Sequence, residues 1–304
     1  MMFVEEPTIQ SFEATLVSGK PLALAIRENV KRRVLLMDRT PGLATILVGD
    51  NAASHTYIKL KGAAAKEAGI HFEKQFYPAN ATTAELIQAV QALNAREDIH
   101  GILVQFPLPE QDEDAIVAAI HPDKDVDGFH PANRARRAEG APSLVPPVML
   151  GVMHLLRATE QSLRGRIAVV ISNSPIFAEP MLVLLKQEGV TAAYRSPEAL
   201  DVFKTIGDAD VVIVAVGRAG FITKEMIKAG AMVVDIGANS VNGKVCGDVC
   251  PSVREKASYV TPVPGGVGPL TVAYLIQNVV QAYEMQHSHH SMIRSESSCG
   301  VLSS

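Results

Sequence analysis

The sequence predicts an α/β protein of two domains, an N-terminal α/β domain and a C-terminal doubly wound Rossmann-type domain, with the last helix returning to the first domain. Three observations point there. Short, unbroken aliphatic runs recur along the chain, as expected of parallel strands buried on both faces. They alternate with helix-patterned segments, the rhythm of βαβ units. The composition agrees: 47% hydrophobic, 5% aromatic and no tryptophan, in 304 residues, which is long enough for two cores.

In the first half, ATILVG (44–49) and HGILVQF (100–106) read as buried strands. Residues 54–69 read as a helix with Ser54 as N-cap and Gly69 at its close, and residues 83–96 as another. The segment 138–151, AEGAPSLVPPVMLG, holds three prolines and two glycines and marks the boundary, giving a first domain of 1–145 and a second of 146–269. In the second domain RIAVVIS (166–172), TAAY (191–194), ADVVIVAVG (209–217) and AMVVDIG (231–237) read as strands, with helices near 176–188 and 223–229. The final helix, from about Leu270 to Met285, is apolar on more than one face and is assigned, as 270–286, back to the first domain. The polar, serine-rich tail 287–304 is expected to be disordered, and its His287, His289 and His290 to bind metal only adventitiously.

Charge and composition exclude several function classes. The net charge is −4 and no long basic run occurs, so nucleic-acid binding has no electrostatic support. The three cysteines, Cys246, Cys250 and Cys299, form neither a disulfide framework nor zinc-ligand spacing, which fits a reducing compartment. The opening MMFVEEPTIQ lacks a basic leader region, and no apolar stretch of about 18 to 20 residues follows. A soluble, cytoplasmic protein with a small-molecule partner and no metal is expected.

Tyr57 and Lys61 are four residues apart, on one face of the first helix. A tyrosine ring stacks on flat heterocycles, and a partly buried lysine can move protons; the same spacing also suits an aromatic anchor beside a solvated lysine. Gln105 ends the strand GILVQ, where open α/β sheets collect ligand-binding groups, or where a core amide is satisfied by its neighbours. KDVDGFHP (124–131) reads as an Asx-type turn, with too few acidic ligands for calcium. TPVPGGVGPLT (261–271), rich in proline and glycine just before the last helix, fixes a loop and bares its backbone to a ligand.

Taken with AVGRAGFI and VVDIGAN, the ordered set SHTYIKLK, GILVQFPLP, KDVDGFHP and TPVPGGVGPLT resembles the bifunctional methylenetetrahydrofolate dehydrogenase/methenyltetrahydrofolate cyclohydrolase family, over about residues 8–285. The resemblance implies an N-terminal catalytic domain that binds tetrahydrofolate one-carbon derivatives, and a homodimer. It implies oxidation of 5,10-methylenetetrahydrofolate with a nicotinamide cofactor, and hydrolysis of the methenyl product to 10-formyltetrahydrofolate. Lys61 matches the family's catalytic lysine, Gln105 the glutamine that orients it, Tyr57 the ring that packs on folate, and Asp127 the carboxylate that holds the pterin. Pro264, Gly265 and Gly266 match a folate-lining loop.

The cofactor half departs from that family. Where the family has GRSxxVGxP, this chain reads SNSPIFAEP (172–180), without the glycines or the arginine, and PCTP becomes Pro146, Pro147, Val148, Met149. Glycine at the first βα turn lets pyrophosphate approach a helix N-terminus, which serine and alanine obstruct. Ser172, Asn173, Ser174, Arg195, Ser196 and Ala238 are the expected cofactor-binding positions. Arg195 is either a plain surface residue or a cofactor ligand; it follows the presumed second strand, with no acidic residue in place to accept a ribose hydroxyl, which favours NADP over NAD. The alternative is a cyclohydrolase with weak or lost dehydrogenase activity. A short-chain dehydrogenase is disfavoured because no glycine-rich turn precedes Tyr57. A folate-binding regulatory protein is disfavoured because it would need neither Lys61 nor Gln105.

Overall fold

The computed structural model describes residues 13–299, with side chains as far as His287. In chain order the regular elements begin β1 (Thr15–Leu16), α1 (Gly19–Val34), β2 (Gly42–Val48), α2 (Ala52–Glu67) and β3 (His71–Tyr77). They continue α3 (Thr83–Asn94), β4 (Gly101–Val104), α4 (Glu113–Ala119), α5 (Pro131–Ala138) and α6 (Pro147–Arg157). Next come β5 (Ile167–Ser172), α7 (Pro175–Gln187), β6 (Thr191–Arg195), α8 (Val202–Asp208) and β7 (Val211–Ala215). The last are β8 (Met232–Asp235), β9 (Asn239–Val241), β10 (Lys244–Cys246), β11 (Tyr259–Val260) and α9 (Val267–Cys299). The described residues form two compact units, 19–152 with 268–299, and 13–18 with 153–267.

The first unit is built on a parallel sheet in the order β3-β2-β4. All seven residues of β2 are buried, as the unbroken run GLATILV requires of a central strand. Ala44, Ile46 and Val48 pack with Leu86 and Val90 of α3 and with Ile102 and Val104 of β4. The α3 start carries a capping box between Thr82 and Glu85. The cap of α2 is Asn51 rather than the expected Ser54: the Asn51 side chain accepts from Ala53 N at 3.0 Å and Ser54 N at 3.1 Å, so the helix begins earlier. Pro147 opens α6, where sequence punctuation suggested an irregular linker, because the first helical turn needs no proline N–H.

α9 belongs to this unit and buries Ala273, Ile276, Val279, Val280 and Tyr283. Asn278 is fully buried and donates to Val126 O at 2.9 Å and Val145 O at 2.8 Å, tying the helix to the acidic turn and to the chain after α5. The tail expected to be disordered from 287 is helical to Cys299, since neither proline nor glycine interrupts it before Gly300. The side chains of His289 and His290 lie outside the described residues.

The second unit holds a six-stranded parallel sheet, β1-β11-β8-β7-β5-β6, with a small β9–β10 hairpin beside it. β1 lies at its edge, so the chain enters here before Gly19. From β5 the chain steps to β6 on one side and then to β7 on the other, which makes the β5/β7 boundary the switch point of a doubly wound sheet. Residues 223–229, expected to be helical, form a turn in which Met226 N donates to Thr223 O and Thr223 N to Met226 Sδ. The helix between β6 and β7 is α8, outside any segment expected from the sequence. No helix among the described residues is long and apolar enough to cross a membrane.

Removing a buried amide that serves one buried and one part-buried carbonyl costs about 1–3 kcal/mol for a buried group left unpaired. Asn278→Ala is therefore expected to lower the urea unfolding free energy clearly, while a surface change such as Gln161→Ala leaves it nearly unchanged.

Candidate active site

Four of the sequence-predicted residues belong to the first unit. Tyr57 and Lys61 lie one helical turn apart on α2, with Tyr57 exposed and Lys61 half-buried. Gln105 directly follows β4, its N–H held by Ile46 O at 2.9 Å. Its amide splits its duties. Oε1 accepts from Lys61 Nζ at 2.9 Å, and Nε2 donates to Phe106 O at 2.7 Å, which fixes the amide so that its oxygen faces the lysine.

Asp125 and Asp127 do different work. Asp125 is buried, and its carboxylate accepts from Gly128 N at 3.0 Å, His130 N at 2.8 Å and Asn133 Nδ2 at 3.1 Å. This is the Asx-type turn read from KDVDGFHP, and it presents Asp127. Gly128 sits at φ 75°, and a Cβ there would come within 2.7 Å of Pro146 N, so no other residue fits the bend.

Burial dominates the electrostatics. It pushes the Asp127 carboxyl up to about 6, although nearby Lys61 pulls the other way and Asp125 adds to the rise. It also pulls the Lys61 ammonium below its ordinary value, against the attraction of Asp127. Both groups are thus brought towards exchange near neutrality, a state suited to general acid–base work.

Pro264, Gly265 and Gly266 belong to the second unit, in a turn closed by Gly266 N donating to Pro262 O at 2.7 Å. The predicted cofactor positions are there too. Ser172 ends β5, is buried and donates its hydroxyl to Ser174 O at 2.8 Å; the Ser174 side chain caps α7 by accepting from Phe177 N at 3.4 Å. Asn173 Nδ2 donates to Val216 O at 3.0 Å and so bridges the ends of β5 and β7. Ala238 is exposed between β8 and β9.

Arg195 is the last residue of β6, and its Nε lies 3.0 Å from both carboxylate oxygens of Asp201. An acidic partner is therefore present, six residues downstream rather than beside it. Ser196 donates to Glu198 Oε2 at 2.7 Å, and Glu198 also pairs with Arg218. Arg195, Ser196 and Arg218 thus cluster at the carboxyl ends of β6 and β7.

Residues 17–127 match the description "Tetrahydrofolate dehydrogenase/cyclohydrolase, catalytic domain", and residues 146–287 match the NAD(P)-binding domain of the same family. The chain belongs to this family. It is 45% identical over 277 residues to the bifunctional protein FolD of Cupriavidus necator, covering 89% of this chain and 98% of that one. It is 42% identical over 275 residues to FolD of Bacillus subtilis, covering 88% and 97%. The crystal structure of a bifunctional methylenetetrahydrofolate dehydrogenase/cyclohydrolase from Campylobacter jejuni superposes with a TM-score of 0.85 at 40% identity, covering 90% of this chain and 99% of that one. The Trypanosoma brucei enzyme complexed with NADP and inhibitor also gives 0.85, at 34% identity, covering 90% and 98%.

Against that family background, the residues missed by sequence reasoning are Arg218, Glu198 and Asp201, together with the buried carboxylates Asp235 and Asp248. Asp235 carried a signal, a charge ending the apolar run AMVVD, and Arg218 lies within the motif AVGRAGFI; Glu198, Asp201 and Asp248 lie in segments without one.

The mutual pull between Lys61 and Asp127 can be titrated directly. Since Lys61 lowers the Asp127 pKa, Lys61→Met should raise that pKa above its value of about 6. Carbon NMR of carboxyl-labelled aspartate reads the shift, and an unchanged or lower value would separate the two groups.

Proposed function

We propose that this chain oxidises 5,10-methylenetetrahydrofolate to the methenyl form with NADP, and hydrolyses the methenyl form to 10-formyltetrahydrofolate. The observation that carries the reading is the Lys61–Gln105 hydrogen bond at 2.9 Å beside Asp127, in a chain that belongs to the dehydrogenase/cyclohydrolase family along both halves. In hydrolysis, water adds to the methenyl carbon, loses a proton, and the bond to N5 breaks to leave the formyl group on N10. Lys61, with its lowered pKa, exchanges that proton, while Gln105, neutral and unable to quench the amine, orients it. Asp127 accepts from the donor-rich edge of the pterin, and the exposed Tyr57 ring packs against the folate ring system.

The second unit fits a dinucleotide at its switch point, although its first turn contains no glycine. Ser172 turns its hydroxyl inward onto Ser174 O, so the turn is made without a left-handed residue there. NADP, when bound, supplies the hydride acceptor. Arg195, Ser196 and Arg218 would hold its 2′-phosphate, because their carboxylate partners form only exposed, weak ion pairs that an anion can displace. Ser172, Asn173, Ser174 and Ala238 line the rest of the nucleotide path. Relatives named as bifunctional favour two activities over a hydrolase alone. The chain works as a cytoplasmic homodimer on free folate derivatives, with neither nucleic acid nor membrane as partner. Its net charge of −4 supports the last point.

A spectrophotometric assay of the purified protein tests both reactions: methenyl formation with NADP and with NAD in parallel, then methenyl hydrolysis without cofactor. Both reactions are expected, with NADP preferred; hydrolysis without any oxidation would leave only the hydrolase. Arg195→Ala should raise the KM for NADP much more than that for NAD, whereas equal changes would remove Arg195 from the phosphate site.

A further inference from the structure

Two buried carboxylates in the second unit have no part in the chemistry above. Asp248 is fully buried, and its Oδ2 accepts from Val216 N at 2.7 Å and Gly217 N at 3.0 Å. Its Oδ1 accepts from Arg218 N at 2.8 Å and Asn239 Nδ2 at 2.8 Å. Asp235, 3% exposed at the end of β8, accepts through Oδ1 from Gly237 N at 2.9 Å and Asp248 N at 3.0 Å, and through Oδ2 from Val249 N at 3.0 Å. Its own N–H donates to Thr261 Oγ1 at 2.8 Å.

The packing leaves no room for substitution around these groups. A Cβ on Gly237 would come within 2.3 Å of the Asp248 carboxyl carbon, and one on Gly247 within 1.8 Å of Asp235 Oδ2. Each carboxylate collects N–H groups from chain that has just left a strand: 216–218 after β7, and 237 after β8. In a doubly wound sheet those are the loops that border the ligand, at the carboxyl ends of strands next to the switch point. Val216 is also the residue whose carbonyl receives Asn173 from across the β5/β7 boundary.

We propose that Asp248, itself oriented by Asp235, is a positioning residue for the dinucleotide, holding the 216–218 loop and the Arg218 backbone in their binding conformation. This rests on the reading of the second unit as the NADP site. Four donors converge on one acid, and an amide in its place can accept through only one of its two heads, leaving buried N–H groups facing an NH₂.

The test measures NADP affinity by titration calorimetry and methenyl hydrolysis without NADP, on the same folded preparations. For Asp248→Asn the NADP Kd is expected to rise about tenfold or more, with NADP-independent hydrolysis within about twofold of wild type. A merely structural role would lower Tm and leave the Kd of the folded protein unchanged. Asn239→Ala removes one donor and leaves the three backbone donors, so it keeps the fold and should weaken NADP about threefold. An unchanged NADP Kd in either folded variant overturns the proposal, as does a parallel loss of NADP binding and hydrolysis. Wild-type protein that fails to bind NADP at all would instead overturn the reading of the unit, and this assignment with it.

Discussion

The first unit depends on keeping Lys61 and Asp127 together where water is scarce. Desolvation drives each towards its neutral form, and their mutual attraction recovers only part of that cost. The surroundings follow from this tension. Gln105 gives the lysine a neutral acceptor at 2.9 Å and is itself locked by Phe106 O, so the amine is oriented without a second charge. Asp125 spends its carboxylate on the turn rather than on the lysine, with three donors around it, and so leaves Asp127 as the acid that faces Lys61. Asn278, from the far end of the chain, closes the same turn by taking Val126 O.

The second unit solves a different problem by similar means. Its first βα turn contains serine and asparagine where glycine would allow a tight bend, yet the turn forms because Ser172 and Asn173 satisfy backbone carbonyls with their side chains. Order at the switch point then comes from Asp235 and Asp248, whose buried oxygens gather the N–H groups of successive loops. In both units a buried carboxylate organises a loop.

Much of this was legible in the sequence because strands buried on both faces write themselves as aliphatic runs: β4, β5, β7 and β8 fall within such runs, and β2 overlaps one, starting two residues before it. The Asp125 turn was legible for a local reason: aspartate with a glycine three residues on is a favoured turn pattern. Failures arose where a distant or equally plausible partner decided the outcome. Asn51 and Ser54 are both good caps, and only geometry shows that the Asn51 oxygen reaches two N–H groups. Residues 223–229 have helical composition, but only a turn forms at Thr223–Met226, with Met226 N donating to Thr223 O and Thr223 N to Met226 Sδ. The partner of Arg195 is Asp201, six residues on, and the donors to Asp248 come from as far away as Val216; no local pattern announces either.

In the proposed mechanism Lys61 carries the hydrolytic proton transfer in a fold that does not need it. The most direct measurement is the methenyltetrahydrofolate hydrolysis rate of Lys61→Met, compared with wild type in protein whose circular dichroism and NADP affinity are unchanged. The rate should fall by about 100-fold or more, the scale of a lost general acid–base group. A folded variant that hydrolyses at the wild-type rate would remove Lys61 from the proton transfer.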